Sequence, residues 1–230
     1  MLVKAFGSNS ISLLYATIWT GNAEIDSGDL ELWSGGSIDV NSSQIFSGPS
    51  NNGTSGDVAL YAQGSNTITL LSAFIHTSPA GSDSGAVELW SGGSIDMNSC
   101  QIYSSASANG TSGHLTAYAL GRGFNCYAGI LGTGWANGDS GGDSGSFEIL
   151  AAGPVTFGSS ILSTGNSVSG DSGDFTSTSV NAHTTFGPVF LMLWTGDASA
   201  GNSGSILIHD FAPRPEGGVI EVNSSYVLHW

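Results

Sequence analysis

The sequence predicts an all-β fold, a β-solenoid (parallel β-helix) of about eight coils of about 28 residues, with three short strands in each coil. Three observations lead to this prediction. The segment ELWSGGSID occurs at 31–39 and again at 88–96, 57 positions later. Apolar and polar residues alternate in short runs, which is typical of strands. No window holds a helical period, and Gly, Ser, Asn and Asp fill the gaps between runs, as they do in turns.

The repeat divides into units that each open with a Ser-Gly step followed by an alternating run. The openings are 28–32 residues apart, and a partial unit precedes them: Gly28, Gly56, Gly85, Gly113, Gly145, Gly173 and Gly204. One unit exposes an apolar face that it cannot bury alone, whereas stacked units bury it against each other. The alternative, an all-β sandwich, gives no reason for near-identical segments 57 residues apart. We therefore expect residues 1–230 to form one solenoid domain, a segment of a longer array.

The alternation also predicts which side chains face the core. The first strand of each coil gives two inward columns: Leu30, Val58, Val87, Leu115, Phe147, Phe175 and Ile206, beside Leu32, Leu60, Leu89, Ala117, Ile149 and Ile208. The second strand gives two more: Ile11, Ile38, Ile68, Ile95, Phe124, Val155 and Ile220, beside Leu13, Val40, Leu70, Met97, Cys126, Phe157 and Val222. The third strand gives one: Ile18, Ile45, Ile75, Ile102, Leu131, Leu162 and Val227.

The composition limits the partners. The chain has 3 Lys and Arg against 18 Asp and Glu, a formal net charge of −15. This charge disfavours nucleic acid and anionic membranes as partners, since both are bound through clusters of Lys and Arg. No stretch of 18 apolar residues is present, so we expect no membrane span. The first residues, MLVKAFGSNSISLL, do not form a convincing signal peptide. The acidic composition is compatible with cations and neutral polymers as ligands.

Aromatic residues recur on the outer side of the first strand. Trp33, Tyr61, Trp90 and Tyr118 hold the same position in four successive coils, so we expect a ladder with steps of about 4.8 Å. Contiguous exposed aromatic residues often form a contact surface. Three alternatives stay open for this ladder: docking of a protein or a second array, stacking of sugar rings, or rings that pack only on each other and on the adjacent turn.

Acidic residues recur two positions before the opening glycines. Asp and Asn can close such a turn through their own backbone, and this structural role is our default interpretation. Asp143 and Asp171 lie in adjacent coils, and Ca²⁺ takes carboxylate oxygens as ligands, so these two are a candidate Ca²⁺ site. The two cysteines, Cys100 and Cys126, lie in neighbouring coils and are either disulfide-bonded or buried free thiols.

Four triplets fit the Asn-x-Ser/Thr pattern of N-glycosylation. They begin at Asn41, Asn52, Asn109 and Asn223. Asn52 and Asn109 occupy the same turn 57 residues apart, and we expect that turn to be exposed. In a secreted eukaryotic protein these would be glycan sites. The alternative is chance, because a chain rich in Ser and Asn produces such triplets without function.

We expect no enzymatic activity. The cations Lys4, Arg122 and Arg214 are scattered, and the five histidines share no column. Glu31 and Glu88 would lie two coils apart, roughly 10 Å, but the repeat itself accounts for the pair. Ice binding is an alternative function, since several ice-binding proteins are β-solenoids with repeated Thr-x-Thr. Here Thr67 and Thr69 form one such step, and the charged Asp39 and Asp96 interrupt the surface.

The pattern Ser-Gly-x-Val/Leu-x-Leu-x-Ser-Gly-Gly-Ser-Ile, present at 27–38 and 84–95, resembles the Gly/Ser-rich β-helix arrays of cell-surface adhesins and algal secreted repeat proteins. The resemblance covers most of the chain and names no catalytic residue. It implies a secreted or cell-surface protein with a structural or adhesive role. Its ladder would then bind a protein partner or another copy, with a carbohydrate-binding module as a further alternative.

Overall fold

The computed structural model describes residues 1–134, 141–186 and 191–211, together with the backbone of 221–222 and 226–228. The predicted fold is confirmed: the described residues are all-β with no helix, and three parallel sheets stack as a β-solenoid of about seven turns with a repeat of about 29 residues. Within this part of the chain there is consequently no helix that could cross a membrane.

Each coil contributes one strand to each of the three sheets, and every neighbour in a sheet comes from the adjacent coil. The first sheet contains β1 (Leu2–Ala5), β4 (Leu30–Ser34), β7 (Val58–Ala62), β10 (Val87–Ser91), β13 (Leu115–Ala119), β16 (Phe147–Ala151), β19 (Phe175–Ser179) and β22 (Ile206–Asp210). The second contains β2 (Ile11–Leu14), β5 (Ile38–Asn41), β8 (Ile68–Leu71), β11 (Ile95–Asn98), β14 (Phe124–Tyr127), β17 (Val155–Gly158), β20 (Thr184–Phe186) and β23 (Glu221–Val222). The third contains β3 (Thr17–Trp19), β6 (Gln44–Phe46), β9 (Phe74–His76), β12 (Gln101–Tyr103), β15 (Ile130–Gly132), β18 (Ile161–Ser163), β21 (Met192–Trp194) and β24 (Tyr226–Leu228).

The core consists of the predicted columns of apolar side chains. Leu32 pairs with Leu60 across β4 and β7, and Leu60 pairs with Leu89 in the next coil. All three side chains are at most 1% exposed. In later coils phenylalanine replaces the aliphatic residues, and the rings of Phe157 and Phe186 stack at 5.4 Å. Like residues therefore lie above one another, which is the physical premise of every site described below.

The predicted columns are wrong in one coil. The sequence pattern predicts Val222 directly after Phe157 and Val227 directly after Leu162. The structure inserts β20 and β21, so that Phe186 separates the first pair and Leu193 the second. Ile220, expected to follow Val155, lies outside the described residues. This coil escaped detection because polar Thr184 takes the inward position next to Val155, which breaks the expected Ile or Val pattern.

The turn between the second and third strands has one conformation in six coils. In each of them a residue other than glycine adopts a positive φ of 47–55°: Tyr15, Ser42, Ser72, Ser99, Ala128 and Ser159. The left-handed conformation costs an L-residue roughly 1–2 kcal/mol. It redirects the chain so that the third strand can begin two residues later. A repeated local strain is therefore built into this edge of the solenoid.

Candidate functional site

The predicted aromatic ladder lies on the outer face of the first sheet. Trp33, Tyr61, Trp90 and Tyr118 occupy one register position in β4, β7, β10 and β13. The inward neighbours on each strand are buried, whereas all four aromatic side chains are partly exposed. The position continues as Leu150 in β16, so the aromatic run ends there, as expected.

The first two ladder rings contact each other, and the first also contacts a cation. Trp33 and Tyr61 stack with ring centroids 4.1 Å apart, which is part of what the purely structural alternative predicts. The ammonium group of Lys4, in the preceding coil, lies 5.6 Å from the Trp33 ring centroid, within the range of a cation–π contact. Stacking covers the ring faces but leaves the outer edges accessible, so a docking role and a packing role are compatible in this geometry.

Three glutamates on the same outer face accept hydrogen bonds from the polar tips of three ladder side chains. The Trp33 indole N–H donates to Glu31 Oε2 at 2.7 Å. The Tyr61 hydroxyl donates to Glu88 Oε2 at 2.7 Å, and the Tyr118 hydroxyl donates to Glu148 Oε2 at 3.3 Å. The two tyrosine bonds join neighbouring coils, the Trp33 bond lies within β4, and all three limit ring rotation. Glu31 and Glu88, which were weighed above as a possible catalytic pair, thus act as acceptors for the ladder.

The tyrosines of the ladder are held in their protonated form. Burial raises the pKa of Tyr61, and the hydrogen bond to Glu88 and its negative charge raise it further. Burial also raises the pKa of Tyr118, with the charge of Glu148 as the second cause. Both hydroxyls therefore remain hydrogen-bond donors throughout the ordinary pH range, and the ladder presents no titratable phenol to a partner.

A second aromatic row, which the sequence analysis missed, lies on the outer face of the third sheet. It consists of Trp19, Phe46, His76 and Tyr103, the last residues of β3, β6, β9 and β12. His76 stacks on Phe46 at 5.0 Å and on Tyr103 at 5.1 Å. The available signal was the residue after each inward isoleucine of the third strand. A histidine within the run concealed it.

His76 is held in this row as a neutral ring. Burial lowers its pKa, although the hydrogen bond between Nδ1 and the Thr77 carbonyl oxygen, 2.7 Å long, acts in the opposite direction. The edge of the Phe74 ring also contacts it at 4.7 Å between centroids. At neutral pH the row is therefore an uncharged aromatic stack, unlike the ladder with its glutamates.

The acidic column has a coil-to-coil role. Asp26 Oδ1 accepts the Thr54 backbone N–H at 2.9 Å and its hydroxyl at 3.0 Å, and these bonds lower the pKa of Asp26. Asp83 Oδ1 accepts the Thr111 N–H at 2.8 Å in the same way. Each side chain therefore supplies an acceptor to the turn of the next coil, rather than closing its own turn as expected. The physical reason is that equivalent turns lie directly over one another, which brings the backbone N–H of the next coil within hydrogen-bond distance of the side-chain oxygen.

The candidate Ca²⁺ residues share this arrangement. Asp143 Oδ1 accepts the Asp171 N–H at 2.9 Å, and Asp171 Oδ1 accepts the Asn202 N–H at 2.7 Å. Over the described ranges no group of three or more His, Cys, Asp and Glu residues is close enough to hold a metal ion. One oxygen of each carboxylate is thus engaged with backbone, and the Ca²⁺ site stays a prediction.

Asp57 directly follows the opening glycine Gly56, and its pKa shifts in the opposite direction to that of Asp26. Asp57 Oδ1 accepts the Ala86 N–H at 2.8 Å. The residue surface is exposed, but the carboxylate loses part of its hydration against the surrounding coils. This desolvation raises the pKa of Asp57, and the negative charges of Asp29 and Glu31 raise it further. The charged form of Asp57 is therefore disfavoured in the folded protein, whereas that of Asp26 is favoured.

The cysteines are buried free thiols, which decides between the two alternatives left open by the sequence. Cys126 lies over Met97 in an inward column, and Cys100 follows the left-handed residue Ser99, donating to the Leu70 carbonyl oxygen at 3.2 Å. Burial raises the pKa of Cys126 to about 12 and raises that of Cys100 as well. Because the thiolate is the reactive form, neither cysteine is a candidate nucleophile.

The glycosylation triplets differ in accessibility. Asn52 and Asn109 are exposed in equivalent turns, where Asn52 Nδ2 donates to Glu24 Oε1 at 2.8 Å and Asn109 Nδ2 donates to the Gly81 carbonyl oxygen at 2.9 Å. Asn41 ends β5 and is partly buried. Asn223 lies outside the described residues. The exposed turn agrees with the expectation, and glycosylation itself stays a prediction.

The second sheet presents the surface considered for ice binding. Its outer column reads Ser12, Asp39, Thr69, Asp96, Asn125, Thr156 and Thr185 from the first coil onward. The two aspartates lie on either side of Thr69, as the sequence analysis anticipated. The threonines therefore do not form a continuous file over the first four coils, and ice binding stays a prediction.

Comparison with protein-family models, with curated proteins and with solved structures found no match to this chain in any of the three.

Proposed function

We propose that this chain is a non-enzymatic, extracellular structural or adhesive scaffold, secreted or held at the cell surface, which assembles through the aromatic ladder with other copies or with a protein partner. The observation that carries the proposal is the ladder itself: four aromatic side chains lie in register on one outer face and are partly exposed, and glutamates hold the tips of Trp33, Tyr61 and Tyr118. The resemblance to adhesin and algal repeat arrays agrees with it.

Ordering side chains at an interface costs free energy, and the ladder side chains are largely ordered before any partner binds. Each rotamer-rich side chain that is immobilised on binding costs about 0.5–1.5 kcal/mol. The indole of Trp33 and the phenol of Tyr61 are already stacked and hydrogen-bonded, so most of that cost is met on folding. Aromatic residues also dominate the binding energy of protein interfaces. A rigid aromatic strip on a solenoid is therefore well suited to dock a flat partner.

Sedimentation velocity over a range of concentrations, together with light scattering, tests the assembly. We expect the wild-type chain to self-associate and the double variant Trp33→Ser, Trp90→Ser to remain monomeric with an unchanged β signal in circular dichroism. The matched control, Trp19→Ser with Trp194→Ser, removes two tryptophans from the third sheet and should still associate.

Two outcomes contradict this function. Unchanged association of the Trp33→Ser, Trp90→Ser variant would exclude the ladder as the assembly surface. A wild-type chain that stays monomeric at all concentrations would exclude assembly between copies. A change in tryptophan fluorescence on adding glycans, lost in the ladder variant, would instead favour sugar stacking on the ladder.

A further inference from the structure

A cleft of about 380 Å³ opens on the outer face of the second sheet, away from both aromatic rows. It spans β8, β11 and β14. Leu71 and Tyr127, 42% and 49% exposed, hold the same register position two coils apart, with Asn98 between them. Buried Met97 lines its floor. The cleft therefore has two apolar walls and a polar strip between them.

The Tyr127 ring is positioned by the next coil. Tyr127 pairs with Gly158 in β17, and a Cβ added at Gly158 would lie 2.7 Å from Tyr127 Cδ1. One side of the ring thus lies against the glycine backbone, and only glycine leaves room for it. The other side lines the cleft and faces Leu71 across two strand spacings, roughly 10 Å. Van der Waals contacts of about 3.5–4.0 Å on each side fit within that span, so one puckered ring can touch both walls.

Hydrogen-bonding groups lie beside these walls. Asp96 Oδ1 accepts Asn125 Nδ2 at 2.6 Å, and Asp96 Oδ2 accepts the Ser94 hydroxyl at 2.7 Å. Since each carboxylate oxygen can accept two hydrogen bonds, Asp96 keeps acceptor capacity toward the cleft while its orientation is fixed. Asn98 and Thr69 add an exposed amide and an exposed hydroxyl. Acceptors and donors are thus adjacent, as required for binding neighbouring hydroxyls.

We propose that this cleft binds a neutral pyranose unit of an oligosaccharide or polysaccharide. Tyr127 and Leu71 would contact the apolar C–H faces of the sugar, and Asp96 with Asn125 would bind its hydroxyls. No Lys or Arg lines the cleft, and the net charge of −15 repels acidic sugars. The volume lies at the lower end of the usual range of about 300–1,000 Å³ for ligand pockets. This site is separate from the ladder and does not rest on the function proposed above.

Ligand-observed NMR with neutral oligomers of glucose, mannose, galactose and N-acetylglucosamine tests the proposal. For at least one of them we expect saturation transfer and upfield shifts of ring protons, because those protons face the Tyr127 ring. The variant Tyr127→Asn, which copies the residue found at this position in β11, should weaken binding by about tenfold or more, since an aromatic contact contributes up to about 1.5 kcal/mol beyond its buried area.

Two further variants distinguish a positioned platform from a nonspecific surface. Gly158→Ala leaves Tyr127 in place but displaces its ring, and it should also weaken binding. Tyr15→Ser removes an exposed tyrosine four coils away, and binding should be unchanged. Polygalacturonate should bind more weakly than the neutral oligomers.

Three results would overturn the proposal. One is the absence of any neutral oligomer whose response depends on Tyr127. Another is undiminished binding in Tyr127→Asn with an intact β signal. The third is preferential binding of a quaternary ammonium compound such as choline, which would assign the cleft to a cation instead.

Discussion

Two buried serines on β19 provide a direct test of how the core is built. Ser177 and Ser179 both face inward and are 0% exposed. The Ser179 hydroxyl donates to the Gly153 carbonyl oxygen at 2.9 Å. Ser177 Oγ has no hydrogen-bond partner among the described residues, and it lies between Ile149 and Ile208 in an otherwise apolar column. The same substitution to alanine should therefore have opposite effects at the two positions.

The magnitude follows from the cost of leaving a buried polar group unpaired, about 1–3 kcal/mol. Ser177→Ala removes that cost and loses only the few dispersion contacts of one oxygen atom, so we expect the free energy of unfolding to rise by about 1–2 kcal/mol. For a chain of this size that corresponds to a rise of about 2–8 °C in Tm. Ser179→Ala removes a satisfied bond and should lower the free energy of unfolding by about 0.5–1.5 kcal/mol.

Urea denaturation and differential scanning calorimetry of the two variants measure both effects on one strand, with each variant serving as the control for the other. Both variants lose the same oxygen atom, so the difference between their free energies of unfolding reports only the hydrogen bonding of the two hydroxyls. If Ser177→Ala lowers the midpoint as much as Ser179→Ala does, Ser177 has a bonding partner in solution and the reasoning is refuted.

Two further predictions concern the turns. Ala128→Gly should raise the free energy of unfolding by up to about 1 kcal/mol in urea denaturation, because glycine adopts the φ of 52° found there without the steric cost. The control is Ala86→Gly, at a position without a positive φ, which should lower the free energy of unfolding by about 0.4–1 kcal/mol. Equal effects of the two substitutions would exclude backbone strain at Ala128. Asp57→Asn should stabilise the protein near neutral pH, because its pKa is raised on folding, and the gain should vanish well below pH 3.8, where the carboxyl is protonated in both states. Asp26→Asn should destabilise the protein near neutral pH, because the pKa of Asp26 is lowered on folding, and the loss should vanish as the pH falls through the folded pKa. Denaturant midpoints at neutral and at acidic pH measure both variants, and midpoint shifts of the same sign at neutral pH would contradict the opposite pKa shifts of Asp57 and Asp26.

The register of the solenoid could be predicted because the repeat fixes it. The copies of ELWSGGSID share one register, and the coil between them places Tyr61 opposite both Trp33 and Trp90. The prediction failed where the inward position changes chemistry: Thr184 in β20 offers no apolar alternation, although Phe186 beside it is buried. The coil tolerates Thr184 at an inward position because its hydroxyl donates to Asp210 Oδ1 at 2.7 Å and the coils above and below still supply the core.

The candidate sites were less accessible from sequence, for a different reason. A column can be counted along the chain, but the direction in which a side chain leans between coils cannot. The ladder was found by counting, whereas its glutamate contacts were not, because Tyr61 reaches forward to Glu88 while Trp33 bonds within its own strand. The third-sheet row was missed because a stack of mixed rings such as Phe46 and His76 does not repeat a residue type.

The cleft shows the same limit in its strongest form, since one of its walls stands where a regular alternation of leucine and asparagine breaks down. That position reads Leu14, Asn41, Leu71, Asn98, Tyr127 and Gly158 along the solenoid. A regular column would fill the groove with like side chains, as the ladder does. Here a short residue between two large ones leaves a gap, and a glycine beyond Tyr127 lets the ring lie flat. In a solenoid whose repeated columns build the core and the turns, departures from the repeat are the places where a ligand can fit.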